Sequence, residues 1–136
     1  MNVQRVAVVG SIAAIGAAVV AGLWLIGSPA EQRLRRQDEQ RVNELAQIAN
    51  AARVRWNAAR QLPDAAAGLI DGQFLTRIPT DPTTREPYEY RATGPLQFEV
   101  CATFERPSRP EQTGDFWYHD AGRRCFQFDV SERSRF

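Results

Sequence analysis

The chain has 136 residues, 43% of them hydrophobic and 24% charged, with 17 basic side chains against 16 acidic ones and a formal charge of +1. All the basic residues are arginine and they are interleaved with acids along the whole length, so no electrostatic footprint for nucleic acid is present. Outside one long apolar run about 110 residues remain, enough for one small domain and too few for two.

Residues 1–5 form a short tail, and Val6 to Ile26 then run without a charge or a proline. A bilayer core of about 30 Å asks for that length and composition in a spanning helix. The run is longer than the hydrophobic stretch of a secretory signal peptide. The sequence therefore predicts a transmembrane helix over 6–27. Gly10, Ala14, Ala18 and Gly22 recur at every fourth position, widened by Ala7, Ser11, Ala13, Ala17 and Ala21, while Val8, Ile12, Ile15, Val19, Leu23 and Ile26 project elsewhere. Small residues in register let membrane helices approach closely, so Gly10, Ala14, Ala18 and Gly22 are the candidate intramembrane packing surface. Trp24 suits an interfacial anchor. The run offers no His, Cys or ionisable side chain, hence no axial ligand for a haem or chlorophyll-type metal and no proton path. Partners are expected among other integral-membrane subunits and the lipid bilayer, with pigments or lipids touching the helix only without ligation.

Orientation signals conflict. Arg5 precedes the span, whereas Arg33, Arg35, Arg36 and Arg41 follow it, which by the positive-inside rule draws the large domain into the cytoplasm. Cys101 and Cys125 lie in strand-like segments without the spacing of a zinc or redox motif, and they read as a disulfide formed on an oxidising side. The cysteines and the basic N-terminal flank are given precedence, which places the domain in the periplasm of a bacterial inner membrane.

From 28 to 61 the chain is rich in Ala, Glu, Gln, Leu and Arg, with Pro29 at a first-turn position. Val42, Leu45, Ala49, Ala52, Trp56 and Ala59 recur at helical spacing and predict the buried face of a long amphipathic helix. Arg41, Glu44, Asn50, Arg53, Asn57 and Arg60 are expected on its solvated face. Leu62-Pro63-Asp64 ends it, and Asp64 is expected to cap a short helix over Ala65 to Ile70 that stops at Asp71-Gly72.

The period then changes. Past the turn-rich segment 79–84, alternating residues predict strands over Tyr88–Arg91, Leu96–Phe104, Phe116–Tyr118 and Cys125–Val130, with turns at 93–95 and 120–122. Residues 62–136 thus read as a small helix plus an antiparallel sheet, one exported domain together with the preceding helix, and the fold class is α+β. Most of the aromatics fall at strand period and are expected in the core. Arg106 to Gly114, with two prolines and mixed charge, is expected as an exposed connection and a partner-contact loop.

Asp81-Pro82-Thr83-Thr84-Arg85-Glu86-Pro87-Tyr88-Glu89-Tyr90 resembles the D-P-x-x-G-x-P-Y-x-Y segment that precedes the sheet in major pseudopilins of type II secretion. The order of membrane helix, amphipathic helix and small sheet is similar to the pilin architecture. Cys101 to Phe104, Trp117, His119, Gly122, Arg123, Cys125 and Phe126 also resemble the C-A-T-F … W … H … G-R-x-C-F pattern of single-span bacterial proteins with a pilin-headgroup-like domain. The chain departs from pilins at Arg85, where the motif has Gly, and in having no prepilin processing motif or its subunit-aligning glutamate. The resemblance implies the architecture of a pilin rather than its polymerisation.

Catalytic candidates are few. His119 is the only histidine, which rules out a multi-histidine metal site, and beside Asp120 it is expected as a surface hydrogen-bonding residue. Asp81 with Asp115, and Glu86 with Glu89, have no spacing that distinguishes them from solvated acids. No catalytic residue, metal ligand or cofactor is expected. The function expected is that of a non-catalytic accessory subunit of an integral-membrane assembly, such as a photosynthetic reaction centre with its antenna or a respiratory complex. The alternative is a pseudopilin-like component of a secretion or filament system.

Overall fold

The computed structural model describes residues 2–26 and 28–132. They fall into two compact units, residues up to 33 and residues from 34 onward. In the first, α1 (Val3–Ile26) is a continuous helix, starting three residues before the apolar run because Gln4 and Arg5 add a polar turn. It is long and apolar enough to cross a membrane. Its one hydroxyl, Ser11, donates back to the Ala7 carbonyl at 2.9 Å and so carries no unpaired polar group into the apolar stretch. Among the described residues, a methyl added at Gly10, Gly16 or Gly22 would meet nothing within 4 Å.

The second helix, α2 (Pro29–Ala59), opens as its sequence predicts: the Ser28 hydroxyl accepts from Glu31 N–H and Pro29 takes the first helical position. It ends at Ala59, with Arg60 in the left-handed conformation at φ 54°. Three strands follow in a meander of order β1-β2-β3: β1 (Glu89–Ala92), β2 (Gln97–Phe104) and β3 (Gly122–Asp129). Both pairings are antiparallel, with Tyr90 opposite Val100, and Val100 opposite Phe126. The α+β class holds.

One hydrophobic cluster joins helix and sheet. Leu45, Ile48, Ala49 and Ala52 of α2 share it with Tyr90, Phe98, Val100, Ala102, Phe104, Phe126 and Phe128 of the sheet and with Leu62, Leu69 and Leu75 between them. Burying a side chain of the size of Leu45 or Ile48 stabilises by about 1.5 to 3 kcal/mol. Phe98 stacks on Phe128 with ring centroids 4.9 Å apart, and Tyr90 tilts against Phe98. Among the expected helix positions Val42 and Trp56 are only partly buried and Ala59 is exposed, because the helix ends there and has nothing left to pack against.

Three expectations are corrected. Phe116–Tyr118 is a turn rather than a strand; its rings reach the core from outside the sheet, Phe116 lying 5.0 Å from Phe128 and Trp117 4.8 Å from Phe126. The short helix is a 3-10 turn over Ala66–Leu69 whose preceding residue is Ala65, with no side-chain cap, so Asp64 does not cap it. The face of α2 expected to be solvated is solvated only in part: Arg41 is 1% exposed, and Glu44 and Arg53 are half-buried.

Candidate functional site

Arg41 is the largest fully buried side chain. Its Nε donates to Asp81 at 2.6 Å, Nη2 donates to the other Asp81 oxygen at 3.1 Å and to the Thr83 hydroxyl at 2.9 Å, and Nη1 donates to Asp38 at 2.7 Å. Each carboxylate is then used again. Asp38 accepts from the backbone N–H groups of Glu105 and Arg106, and Asp81 accepts from those of Thr83 and Thr84. One helical guanidinium thus ties together the loop before the sheet and the exit from β2. Burial alone would lower the pKa of Arg41, but the bonds to Asp81 and Asp38 outweigh it and the pKa rises. Burial likewise opposes ionisation of Asp81, and the Arg41 bond with the two threonine N–H groups still holds its pKa below the usual carboxylate value. A neighbouring bond runs from the Tyr88 hydroxyl to Glu44 at 2.6 Å; burial first, then that carboxylate, pushes the phenol pKa up.

Asp38 also forms part of the floor of a cavity of about 340 Å³ between α2 and the segment 106–119. Glu39 and Val42 line its helix wall, and Arg106, Arg109, Asp115, Trp117, Tyr118 and His119 line the other. His119 is 7% exposed, correcting the surface position expected for it, because its ring stacks on Phe104 with centroids 3.6 Å apart. Its Nδ1 lies 2.9 Å from the Trp117 carbonyl and 2.9 Å from the Ser108 hydroxyl, whose oxygen accepts the His119 N–H at 3.0 Å. A carbonyl only accepts, so the contact with Trp117 is a hydrogen bond when Nδ1 is the donor.

The paired carboxylates considered from sequence are not pairs. Asp81 belongs to Arg41, Asp115 lines the cavity, and Glu89 is bonded to Arg123 at 2.7 Å, which lowers its pKa, while Glu86 is exposed. Cys101 and Cys125 form the expected disulfide; they lie directly opposite in the β2–β3 register with Cα atoms 4.0 Å apart. They sit on the outer face of the sheet beneath polar side chains, where Arg123 donates to Cys101 Sγ at 3.6 Å and Arg91 pairs with Glu99. Gly10, Ala14 and Ala18 are exposed on α1, as is Trp24, and Gly22 is half-buried.

The cavity was not legible as a set of residues. Of its helix wall the sequence marks Val42, as a core position, and only the expectation of a contact loop at 106–114 pointed to its other wall. Compared with protein-family models, with curated proteins and with solved structures, the chain finds no match.

Proposed function

We propose that the protein is a non-catalytic accessory subunit of a larger integral-membrane complex, held by α1 in the bilayer and presenting its disulfide-linked domain to partner subunits on the periplasmic side. The observation that carries this reading is α1 itself: an apolar helix with no ionisable side chain in its membrane-length run and a face of small residues, Gly10, Ala14 and Ala18, that are exposed on the helix. Such a helix can pack but brings no chemistry. The Cys101–Cys125 bond supports an oxidising compartment for the domain. Energy-transducing assemblies, photosynthetic or respiratory, are the kind of complex that gathers single-span subunits of this build. The test is purification from membranes in mild detergent. Stoichiometric recovery with multi-span subunits is expected, and recovery of the chain alone would overturn the reading.

A second reading, a pseudopilin-like component of a secretion or filament system, draws on one detail. Arg85 sits at φ 65°, in the left-handed region that favours glycine, at the position where the pseudopilin segment has Gly. The local loop geometry is thus compatible with that segment despite the different residue. Recovery in a homopolymeric filament would favour this second reading.

A further inference from the structure

The sheet has two edges. β1, at one of them, is four residues long and follows Pro87. β3, at the other, is eight residues long, contains no proline and pairs with β2 without a bulge, from Gln97 opposite Asp129 to Phe104 opposite Gly122. Proline and bulges are two of the usual guards of an exposed edge, and β3 has neither. Two bonds just beyond the strands fix which of its groups point outward. Val130 N–H donates to the Leu96 carbonyl at 2.9 Å and continues the β2–β3 register, while Thr93 N–H donates to the Gln97 carbonyl at 2.9 Å and continues the β1–β2 register. Bonded and non-bonded pairs alternate along an antiparallel ladder. Phe128, Phe126 and Arg124 are therefore bonded to β2, and Asp129, Gln127, Cys125 and Arg123 turn their backbone groups to the open side. The Cα separation of 4.0 Å between Cys101 and Cys125 agrees, because non-bonded pairs are the closer ones, at about 4.5 Å against about 5.5 Å. Among the described residues none of these four backbone N–H groups has a hydrogen-bond partner, and of the four carbonyls only that of Asp129 has one, the Glu132 N–H at 3.3 Å.

The order of side chains along β3 matches a reversed copy of itself. Arg123 and Arg124 stand at its start and Asp129 at its end. Two such strands set antiparallel about a two-fold axis through Phe126 place Arg123 opposite Asp129 and Cys125 opposite Gln127 on the polar face, with Arg124 opposite Phe128 on the core face. This is the one register in which all four outward residues meet outward residues, and it puts opposite charges together at both ends. A slip of two residues in either direction removes the Arg–Asp match and leaves backbone groups unpaired. Arg124 already stands 5.9 Å over the Phe126 ring, so this arginine is suited to an aromatic neighbour. Phe116 and Trp117, half-buried and packed on Phe126 and Phe128, keep apolar surface beside the same strand.

We infer that β3 pairs with β3 of a second copy of this chain, joining two three-stranded sheets into one antiparallel sheet of six strands. Main-chain hydrogen bonds supply the contact, as in other strand additions at a sheet edge. The exposed Arg123–Asp129 pairs add little affinity and act instead to select the register. The inference goes beyond the accessory-subunit reading and does not depend on it, since a paired chain can stand inside or outside a larger assembly.

The test uses the full chain in detergent micelles. Sedimentation equilibrium over a range of concentrations gives the number of copies, and hydrogen exchange of single amides, read by NMR, locates the contact. A dimer is expected in which the amides of Arg123, Cys125, Gln127 and Asp129 exchange at least about tenfold more slowly than after dilution into excess empty micelles. Gln127→Pro gives up an N–H that bonds nothing within the chain, a position where an edge strand tolerates proline, so it should abolish the dimer and leave the domain folded. Arg123→Asp sets like charges opposite each other and should weaken the dimer several-fold, and adding Asp129→Arg should restore it, a result that does not depend on the proline variant folding. A monomer at every concentration would overturn the inference. So would a dimer whose four amides exchange freely, which would move the contact to α1 or another face, and so would slow exchange of these amides in a monomer, which would mean that the chain covers its own edge.

Discussion

Arg41 in the second helix and Asp81 in the loop before the sheet, 40 residues apart in the chain, meet at 2.6 Å in the interior of the domain. The pair is bidentate, and Asp38 one helical turn earlier completes the neutralisation. Removing the cation would leave two carboxylates facing each other out of water. Arg41→Met should therefore destabilise the domain by about 3 to 5 kcal/mol, the penalty typical of breaking a buried pair by deleting one partner. Arg41→Lys keeps the charge but loses the fork, so its loss should be smaller. Urea denaturation followed by tryptophan fluorescence separates the outcomes, and a loss below about 1 kcal/mol for Arg41→Met would mean that the network is not what fixes the loop to the helix.

The same pair sets an acid limit. The pKa of Asp81 is held below its ordinary value of 3.8 in the folded chain. A group with a depressed folded pKa stabilises the fold at pH above its unfolded value, and that contribution disappears as pH falls through the folded value. Stability should thus be level near neutrality and fall below about pH 4. Asp71, Glu89 and Asp129 are lowered in the same direction, so the wild-type curve alone does not isolate Asp81. Asp81→Asn does: it should be less stable at pH 7 and lose less between pH 5 and pH 3 than the wild type. Parallel acid limbs in the two proteins would assign the acid sensitivity to the other carboxylates.

The elements that sequence period specifies are those whose pattern is local. The apolar run, the spacing of Leu45, Ala49 and Ala52, and the alternation through Phe98, Val100, Ala102 and Phe104 each carry their structure in neighbouring residues. Arg41 does not. Helical period places it beside Glu44 and Arg53 on a charged face, and only a carboxylate 40 residues away makes its burial possible. Phe116-Trp117-Tyr118 has strand composition, yet the rings pack on Phe126 and Phe128 from a turn, a tertiary arrangement that β propensity does not encode. His119 follows the same course: its burial depends on Phe104 and Ser108, supplied by the end of β2 and the segment after it.

Arg85 occupies the left-handed region at φ 65°, where a side chain with a Cβ costs roughly 1 kcal/mol. Glycine removes that strain but adds backbone entropy to the unfolded chain, so the two effects partly cancel. Arg85→Gly should leave the domain as stable or raise its stability by up to about 1 kcal/mol, whereas Arg85→Val, branched at Cβ, should lower it. A thermal melt of the three proteins is sufficient. Destabilisation by glycine greater than by valine would show that the arginine side chain, not the backbone conformation, governs this turn.

Cys101 and Cys125 join adjacent strands and close a loop of about 25 residues, a constraint worth roughly 3 kcal/mol in the chain-entropy estimate. The double Cys→Ala variant should lose stability of that order while keeping the fold, because the aromatic core lies on the opposite face of the sheet. Thiol labelling of unreduced, denatured protein isolated from membranes reports the compartment. Neither cysteine should react if the domain is periplasmic, and quantitative reaction of both would place it on the reducing side.

The membrane helix distinguishes a subunit from a tether. Gly10, Ala14, Ala18 and Gly22 line one side of α1, and among the described residues nothing lies within 4 Å of a methyl added at either glycine. If a partner helix packs there, Ala14→Leu and Ala18→Leu overfill a close approach and should expel it, while insertion survives because leucine is at least as apolar as alanine. Ile12→Leu and Val19→Leu, on the bulky side, change volume where lipid or loose packing accommodates it and should be nearly silent. The measurement is retention of the chain in the detergent-purified assembly, with insertion checked by carbonate extraction. Selective loss of the two alanine variants makes the small-residue face a subunit contact. Equal retention of all four variants would reduce α1 to an anchor and leave the domain to carry all recognition of partners.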